Sequence, residues 1–395
     1  MKGEPIILPA SRMGHVEEYY FSRKLKEIAR LRAEGKKVIN LGIGSPDQAP
    51  DEKVIQTLIN ESLKTNIHGY QSYLGLPELR NAFSHWYKTY FQVDLDPNTE
   101  ILPLIGSKEG IMHISMTYLE MGDEVLVPDP GYPAYSAVAR LAGAAIRHYP
   151  LEESRNWQGN LDKLAQSDLS KVKLMWLNYP NMPTGAPADK GYFTALIQFA
   201  RDYKILLVND NPYTFVLNPE KHSLLSIPDA REVALELNSL SKAHNLAGWR
   251  IGMLAGRADY LAEILTFKSN MDSGMFYGIQ KAAITALQLP NSWYENMNTV
   301  YRERRLIAEK VMDLLGCTYA KNQVGMFLWA KIPGEYENAY HLADRLLYET
   351  NLFITPGGIF GDGGLSYIRI SLCSPVDDFK EAIDRISSSE LKVSL

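Results

Sequence analysis

Apolar residues in this chain fall into short unbroken runs that alternate with segments of helical periodicity. In Lys204-Ile-Leu-Leu-Val-Asn-Asp210 the polar residues gather at the carboxyl end, the pattern of a parallel strand covered on both faces. Leu174-Met-Trp-Leu-Asn178, Ile101-Leu-Pro-Leu-Ile105, Glu124-Val-Leu-Val-Pro-Asp129 and Val233-Ala-Leu-Glu-Leu237 read the same way, and Trp249 to Ala255 reads as a return strand. Gly106-Ser-Lys-Glu-Gly110 opens a helix whose apolar stripe is Ile111, Met112, Ile114 and Leu119. This alternation over residues 49–292 predicts an α/β domain, a mostly parallel mixed sheet with helices on both faces. Residues 1–48 read as an arm carrying one helix, Tyr20 to Ala33, and forming part of a small domain. In 293–395, strands at Val324 to Lys331 and Ser366 to Leu372 and a helix at Tyr340 to Thr350 predict a smaller α+β domain. A chain of 395 residues exceeds what one core usually supports, which agrees with two domains. Arg302, Arg304 and Arg305 read as a solvated helix face rather than a binding patch.

In an open α/β sheet, ligands bind outside the carboxyl ends of the strands. Lys242 follows one such end, in Asn238-Ser-Leu-Ser-Lys-Ala-His-Asn-Leu-Ala-Gly-Trp-Arg-Ile-Gly252, between flanks too apolar for a surface turn. Burial there lowers a lysine's pKa toward a neutral, nucleophilic amine. With Ser239, Ser241 and Arg250 beside it as an anion-binding shell, the segment points to an aldehyde cofactor carrying a phosphate. Strand, Gly-Ser turn and helix start at Ser107 and Lys108 offer free N–H groups and a positive dipole end to that phosphate; the alternative is an ordinary helix with Ser107 as N-cap. Asp210 reads either as the carboxylate that keeps a pyridine nitrogen protonated or as a turn residue. Tyr213 can reach the ring's phenolic oxygen, and Asn181, in the loop Tyr179-Pro-Asn-Met-Pro-Thr-Gly185, is a neutral donor suited to the same atom. Tyr132, fixed by Pro130 and Pro133, reads as a ring-stacking aromatic or as core.

On these residues the chain resembles the class I/II aminotransferases of the pyridoxal 5′-phosphate (PLP) fold type I superfamily, which includes aspartate, alanine and LL-diaminopimelate aminotransferases. Ser-Leu-Ser-Lys242 followed by Gly-Trp-Arg-Ile-Gly252 is the most specific stretch of the resemblance. It implies the PLP-dependent transferase fold and ping-pong transfer of an amino group between an L-amino acid and a 2-oxo acid. Lys242 is then the Schiff-base lysine and proton shuttle, Asp210 the partner of the pyridine nitrogen, and Asn181 and Tyr213 the holders of the phenolic oxygen. Ser107, the Lys108 backbone, Ser239, Ser241 and Arg250 bind phosphate, and Tyr132 stacks on the ring. Arg369 in Ser366-Tyr-Ile-Arg-Ile-Ser371 grips the substrate α-carboxylate, and Ile43 and Gly44 in Leu41-Gly-Ile-Gly-Ser-Pro-Asp47 cover the substrate. Tyr70 reaches the phosphate of a partner subunit, so the resemblance implies a homodimer with shared active sites. Met182 interrupts the more usual Asn-Asn-Pro-Thr-Gly form at a position from which no polar contact is expected. Ala243 and His244 replace a frequent Thr-Phe pair and are expected to tune the pocket wall. No second arginine for a distal carboxylate is evident, and Lys108 is the best remaining cation.

Composition narrows the alternatives. A net charge of −5 with dispersed basic residues gives no footprint for nucleic acid or an anionic membrane. Two cysteines make no disulfide framework, no run reaches membrane-spanning length and no signal segment is recognisable, so a cytoplasmic protein is expected. Gly42-Ile-Gly-Ser-Pro-Asp47 lacks the third glycine of a dinucleotide fingerprint, and the eight histidines show no metal-ligand spacing, so neither a dehydrogenase nor a metal site is expected. Two rivals keep the same cofactor shell: a β-lyase or cyclopropane-forming synthase, and a PLP-sensing regulator. The regulator requires a DNA-binding extension, for which about forty residues before the body are too few.

Overall fold

Eight strands build the central sheet: β1 (Ile101–Leu104), β2 (Glu124–Asp129), β3 (Ala145–Glu152), β4 (Gln158–Gly159), β5 (Val172–Leu177), β6 (Leu206–Asp210), β7 (Ala234–Ser239) and β8 (Gly252–Gly256). The structure is a computed structural model that describes residues 6–15, 18 and 20–391. Strand order is β1-β8-β7-β6-β5-β2-β3-β4; β8 runs antiparallel to both neighbours, β4 is an antiparallel edge, and the remaining pairs are parallel. The near-continuous apolar runs follow from burial on both faces. Leu174, Trp176, Val208 and Leu254 face one core, while Met175, Leu177, Leu207 and Met253 face the other, which continues into the C-terminal part of the chain.

There β9 (Phe327–Lys331), β11 (Tyr367–Ser371) and β10 (Thr355–Pro356) form an antiparallel sheet in the order β9-β11-β10. The arm joins this part of the molecule: Ile39–Asn40 pairs in parallel with Leu352–Phe353, and Lys24 bonds Asp344 on helix Ala339–Thr350. Helix Asn291–Leu314 packs on β9 and on helix Val376–Ser387, and near its start Trp293 Nε1 donates to the Ala243 carbonyl at 2.9 Å.

Two expectations change. Strand β9 starts at Phe327 rather than Val324, because the Val324 and Gly325 N–H groups donate to the Gly185 and Val216 carbonyls across loops. Arg304 is not on a solvated face: it is 5% exposed and forms a bidentate pair with Asp47 at 2.7 and 2.8 Å, tying the long helix to the loop after Gly44. Among the described residues no helix is long and apolar enough to cross a membrane.

Candidate active site

Six strands of the sheet run in one direction, and five of them, β1, β2, β5, β6 and β7, end side by side at one edge, so the loops after them converge. A cavity of about 630 Å³ lies there, closed from the opposite side by Ile43 and Gly44, by Phe327, Phe360 and Arg369, and by helix Tyr20–Ala33.

Lys242 sits in the single helical turn Leu240–Ala243 directly after β7, and its Nζ donates to the Gly44 carbonyl at 2.5 Å. Burial, helped by the nearby Arg369 and Arg250 and opposed by Cys373 and Asp210, holds its pKa below the ordinary lysine value. Asp210, the last residue of β6, is buried; desolvation pushes its pKa up to about 7, against the lowering influence of a Tyr135 hydrogen bond and of Lys242. Tyr135 Oη donates to Asp210 Oδ2 at 3.1 Å, whereas buried Oδ1 has no hydrogen-bond partner among the described residues. Such an oxygen costs free energy until a donor faces it. The Tyr135 ring is held in turn by a parallel stack on buried Trp176, with centroids 4.8 Å apart and planes 4° apart.

The cation side of the cavity is built by close backbone approach. Helix Ser107–Tyr118 is capped by Gly106 at φ +83°, not by Ser107, whose side chain therefore remains for the cavity it lines. A Cβ on Gly106 would overlap the Arg250 guanidinium, and one on Gly252 would crowd the Ser107 nitrogen. The glycines thus let the helix start, with its orphan N–H groups, lie against Arg250. Ser239 Oγ lies 2.8 Å from Ser241 Oγ and 3.2 Å from the Ile251 carbonyl, placing both hydroxyls beside the same wall. Burial and the neighbouring Arg250 lower the Lys108 pKa, the response of a cation in a site already positive.

Arg369 enters from β11. Its Nη2 donates to the Gly42 carbonyl at 2.8 Å, Nη1 lies 3.3 Å from Met182 Sδ, and its Cζ is 3.9 Å from the Phe327 ring centre and 4.7 Å from that of Phe360. Tyr213 lines the cavity with its ring edge-on to Phe327 at 5.7 Å, and Tyr132 lines it as well, its ring edge-on to Tyr135 at 5.5 Å.

Four expected positions are not on this wall: Asn181, Tyr70, and the pair Ala243 and His244, both buried away from the cavity. The Asn181 amide is turned into its own loop, donating to the Asn178 carbonyl at 3.1 Å and accepting from Thr184 N and Oγ1 at 3.2 and 2.7 Å. Met182, the next residue, occupies the wall instead, so the expectations for Asn181 and Met182 exchange places. Tyr70 is 94% exposed and lies off the cavity of its own chain. His244 packs behind the site rather than on its wall: it is buried against Trp86, 3.0 Å from Tyr294 Oη, and desolvation pushes its pKa down to about 3.

Sequence reasoning passed over Tyr135, Asn178, Phe327, Phe360 and the arm helix. Tyr135 was within reach of it, standing three residues after Tyr132 on the same face of helix Pro133–Ala142. Among the described residues one group of potential metal ligands occurs, Glu109, His113 and Asp272, and the buried Lys268 ammonium already pairs with Asp272 at 2.7 Å.

A nucleophilic amine, a buried carboxylate with an open oxygen, an anion cradle and a carboxylate-sized guanidinium define a group-transfer site for amino acids. The chain belongs to the class I and II aminotransferases, whose family model matches residues 36–386. It is an enzyme that moves amino groups between amino acids and 2-oxo acids. An LL-diaminopimelate aminotransferase from Aquifex aeolicus is 37% identical over 384 residues, 97% of this chain and 99% of that one. BacF from Bacillus subtilis superposes with a TM-score of 0.93 at 33% identity, covering 96% of this chain and 98% of its own. A probable N-succinyldiaminopimelate aminotransferase from Thermus thermophilus gives 0.86 at 34% identity, over 93% and 98% of the two chains.

Proposed function

We propose that the enzyme holds pyridoxal 5′-phosphate on Lys242 and takes LL-diaminopimelate as its amino substrate, with a 2-oxo acid as the other partner. The observation that carries the cofactor reading is the pairing of Lys242 with the open Asp210 Oδ1 in one cavity beside the Gly106 and Arg250 cradle. When bound, the cofactor is an electron sink that makes the substrate Cα–H acidic.

Each residue then has a physical task. Lys242, whose pKa burial lowers toward that of a nucleophilic amine, supplies the amine that holds the cofactor and, once released by the substrate amine, takes and returns the Cα proton. Asp210, whose ionisation is penalised by burial, gains most from a cation opposite Oδ1 and so keeps a proton on the pyridine nitrogen. Ser107, the Lys108 backbone, Ser239, Ser241 and Arg250, all on the cavity wall, would hold the phosphate, Tyr132 would stack on the ring and Tyr213 would donate to the phenolic oxygen. Arg369, oriented by Gly42 and two phenyl faces, receives the α-carboxylate bidentately, with Ile43 and Gly44 over it. The thioether of Met182 yields Nη1 to that carboxylate because sulfur is a weak acceptor.

The same reading makes the enzyme a homodimer in which Tyr70 completes the partner's phosphate site, and its exposure supports this. It divides the chain at about 48 and 292, which the pairing of Ile39–Asn40 with Leu352–Phe353 and the start of helix Asn291–Leu314 support. A cytoplasmic setting is supported by Cys317 and Cys373, both buried and unpaired.

The substrate reading rests on the 37% identity to a relative named for LL-diaminopimelate. Its test is a donor screen of LL-diaminopimelate, N-succinyl-diaminopimelate, aspartate, glutamate and alanine against 2-oxoglutarate, oxaloacetate and pyruvate. The highest kcat/KM is expected for LL-diaminopimelate; a higher value for any other donor moves the substrate assignment to that donor.

A further inference from the structure

Helix Tyr20–Ala33 crosses the mouth of the cavity, and Phe21, Ser22, Leu25 and Lys26 form part of its wall. These positions make one stripe of the helix surface. Phe21 marks the α-carboxylate end, with its ring centre 5.7 Å from Arg369 Cζ. Lys26 is five residues further on, roughly 7.5 Å along the helix axis. Its Nζ bonds Glu18 Oε1 at 2.5 Å, and Ser22 Oγ donates to the same oxygen at 2.7 Å. Lys24 and Glu27 on this helix have a structural explanation, since they bond Asp344 and Tyr348 on helix Ala339–Thr350. Glu18 and Lys26 instead bond one another and Ser22, with side chains 45% and 71% exposed at the rim.

We propose that Glu18, Ser22 and Lys26 form the subsite for the distal end of a substrate that carries an ammonium and a carboxylate there as well as at its reacting end. This rests on the reading of the enzyme as acting on a diamino dicarboxylic acid. Lys26 takes the distal carboxylate, and Glu18, with Ser22, takes the distal ammonium. The two stereocentres of diaminopimelate are separated by four C–C bonds, roughly 5 Å of extended chain, which brings the far carboxylate within reach of the Lys26 side chain. A zwitterion replaces the Glu18–Lys26 pair with two new pairs. A donor with a single distal charge breaks the pair and leaves one of its members without a counter-ion, so the subsite also discriminates against singly charged ends.

The test compares kcat/KM for four donors, LL-diaminopimelate, L-lysine, L-2-aminoadipate and L-norleucine, in the wild type, Glu18→Gln and Lys26→Met. Both variants are expected to lower the ratio of LL-diaminopimelate to norleucine about fivefold to tenfold, the scale of a rim ion pair partly shielded by substrate. Glu18→Gln should lower the ratio of lysine to norleucine and raise that of aminoadipate, and Lys26→Met should do the reverse. Equal changes for all four donors, or unchanged ratios, overturn the subsite. If the wild type does not prefer LL-diaminopimelate to norleucine, the substrate reading fails instead, and the opposed responses of lysine and aminoadipate still decide the subsite.

Discussion

Asp210 shows how one buried carboxylate links stability to chemistry. Without cofactor its folded pKa is about 7, against an ordinary 3.8, so the folded state holds an extra proton between those values. The group's contribution to stability therefore falls as pH rises from about 4 to 7 and stays low above it. His244 has the opposite sign: depressed from 6.5 to about 3, it makes stability rise across that window. Comparing cofactor-free wild type with Asp210→Asn isolates the first effect. Denaturant melts should show the variant gaining on wild type between pH 4 and 7, by up to about 4 kcal/mol, and a plateau above. In the loaded enzyme Asp210→Ala should keep the cofactor, seen by absorbance, yet lose roughly two to three decades of transamination rate. Met182→Asn puts an amide where the thioether meets Arg369, and steady-state kinetics should show a several-fold lower KM for the amino donor with kcat changed less. Lys242 and Asp210 were legible in the sequence because each stands at or just after the polar carboxyl end of an apolar run, which marks the sheet edge where ligands bind. The exchange of Asn181 for Met182 was not, since a loop with two prolines and a glycine has no period from which to choose between adjacent side chains.

Elements were read more reliably than side chains. The helix expected at Tyr20 to Ala33 is observed with those bounds, β6 and β7 close on their polar pairs Asn209–Asp210 and Asn238–Ser239, and the helix expected from Tyr340 starts at Ala339. What the pattern could not supply was contact between elements: the amphipathic arm helix carries no sign that its exposed stripe borders a cavity, and Arg304 gives no sign of its pairing with Asp47, 257 residues away. The start of helix Ser107–Tyr118 depends on Gly106 for both a positive φ and clearance from Arg250. Gly106→Ala should therefore weaken cofactor binding by about one to two decades, from strain and displacement of the guanidinium. Cofactor titration measures the loss, and an unchanged far-ultraviolet circular dichroism spectrum assigns it to the cradle rather than to the fold.

At the scale of the whole molecule, exposed apolar residues among the described ones include two groups close in sequence, Ile6, Ile7 and Leu8 of the arm and Leu63, Tyr70 and Tyr73 of the loop before helix Pro77–Phe91. Exposure of this kind suits a second copy of the chain. If Tyr70 completes its partner's site, mixing inactive Lys242→Ala and Tyr70→Ala chains creates mixed dimers with one doubly defective and one intact site. After full subunit exchange the mixture should recover about a quarter of wild-type activity. No recovery after verified exchange counts against shared sites. Everything at the larger scales turns on which amine holds the cofactor. Borohydride reduction of the cofactor-loaded enzyme, followed by peptide mapping, reads that directly: the account predicts the reduced label on Lys242, and a label on Lys108 or any other lysine would contradict it.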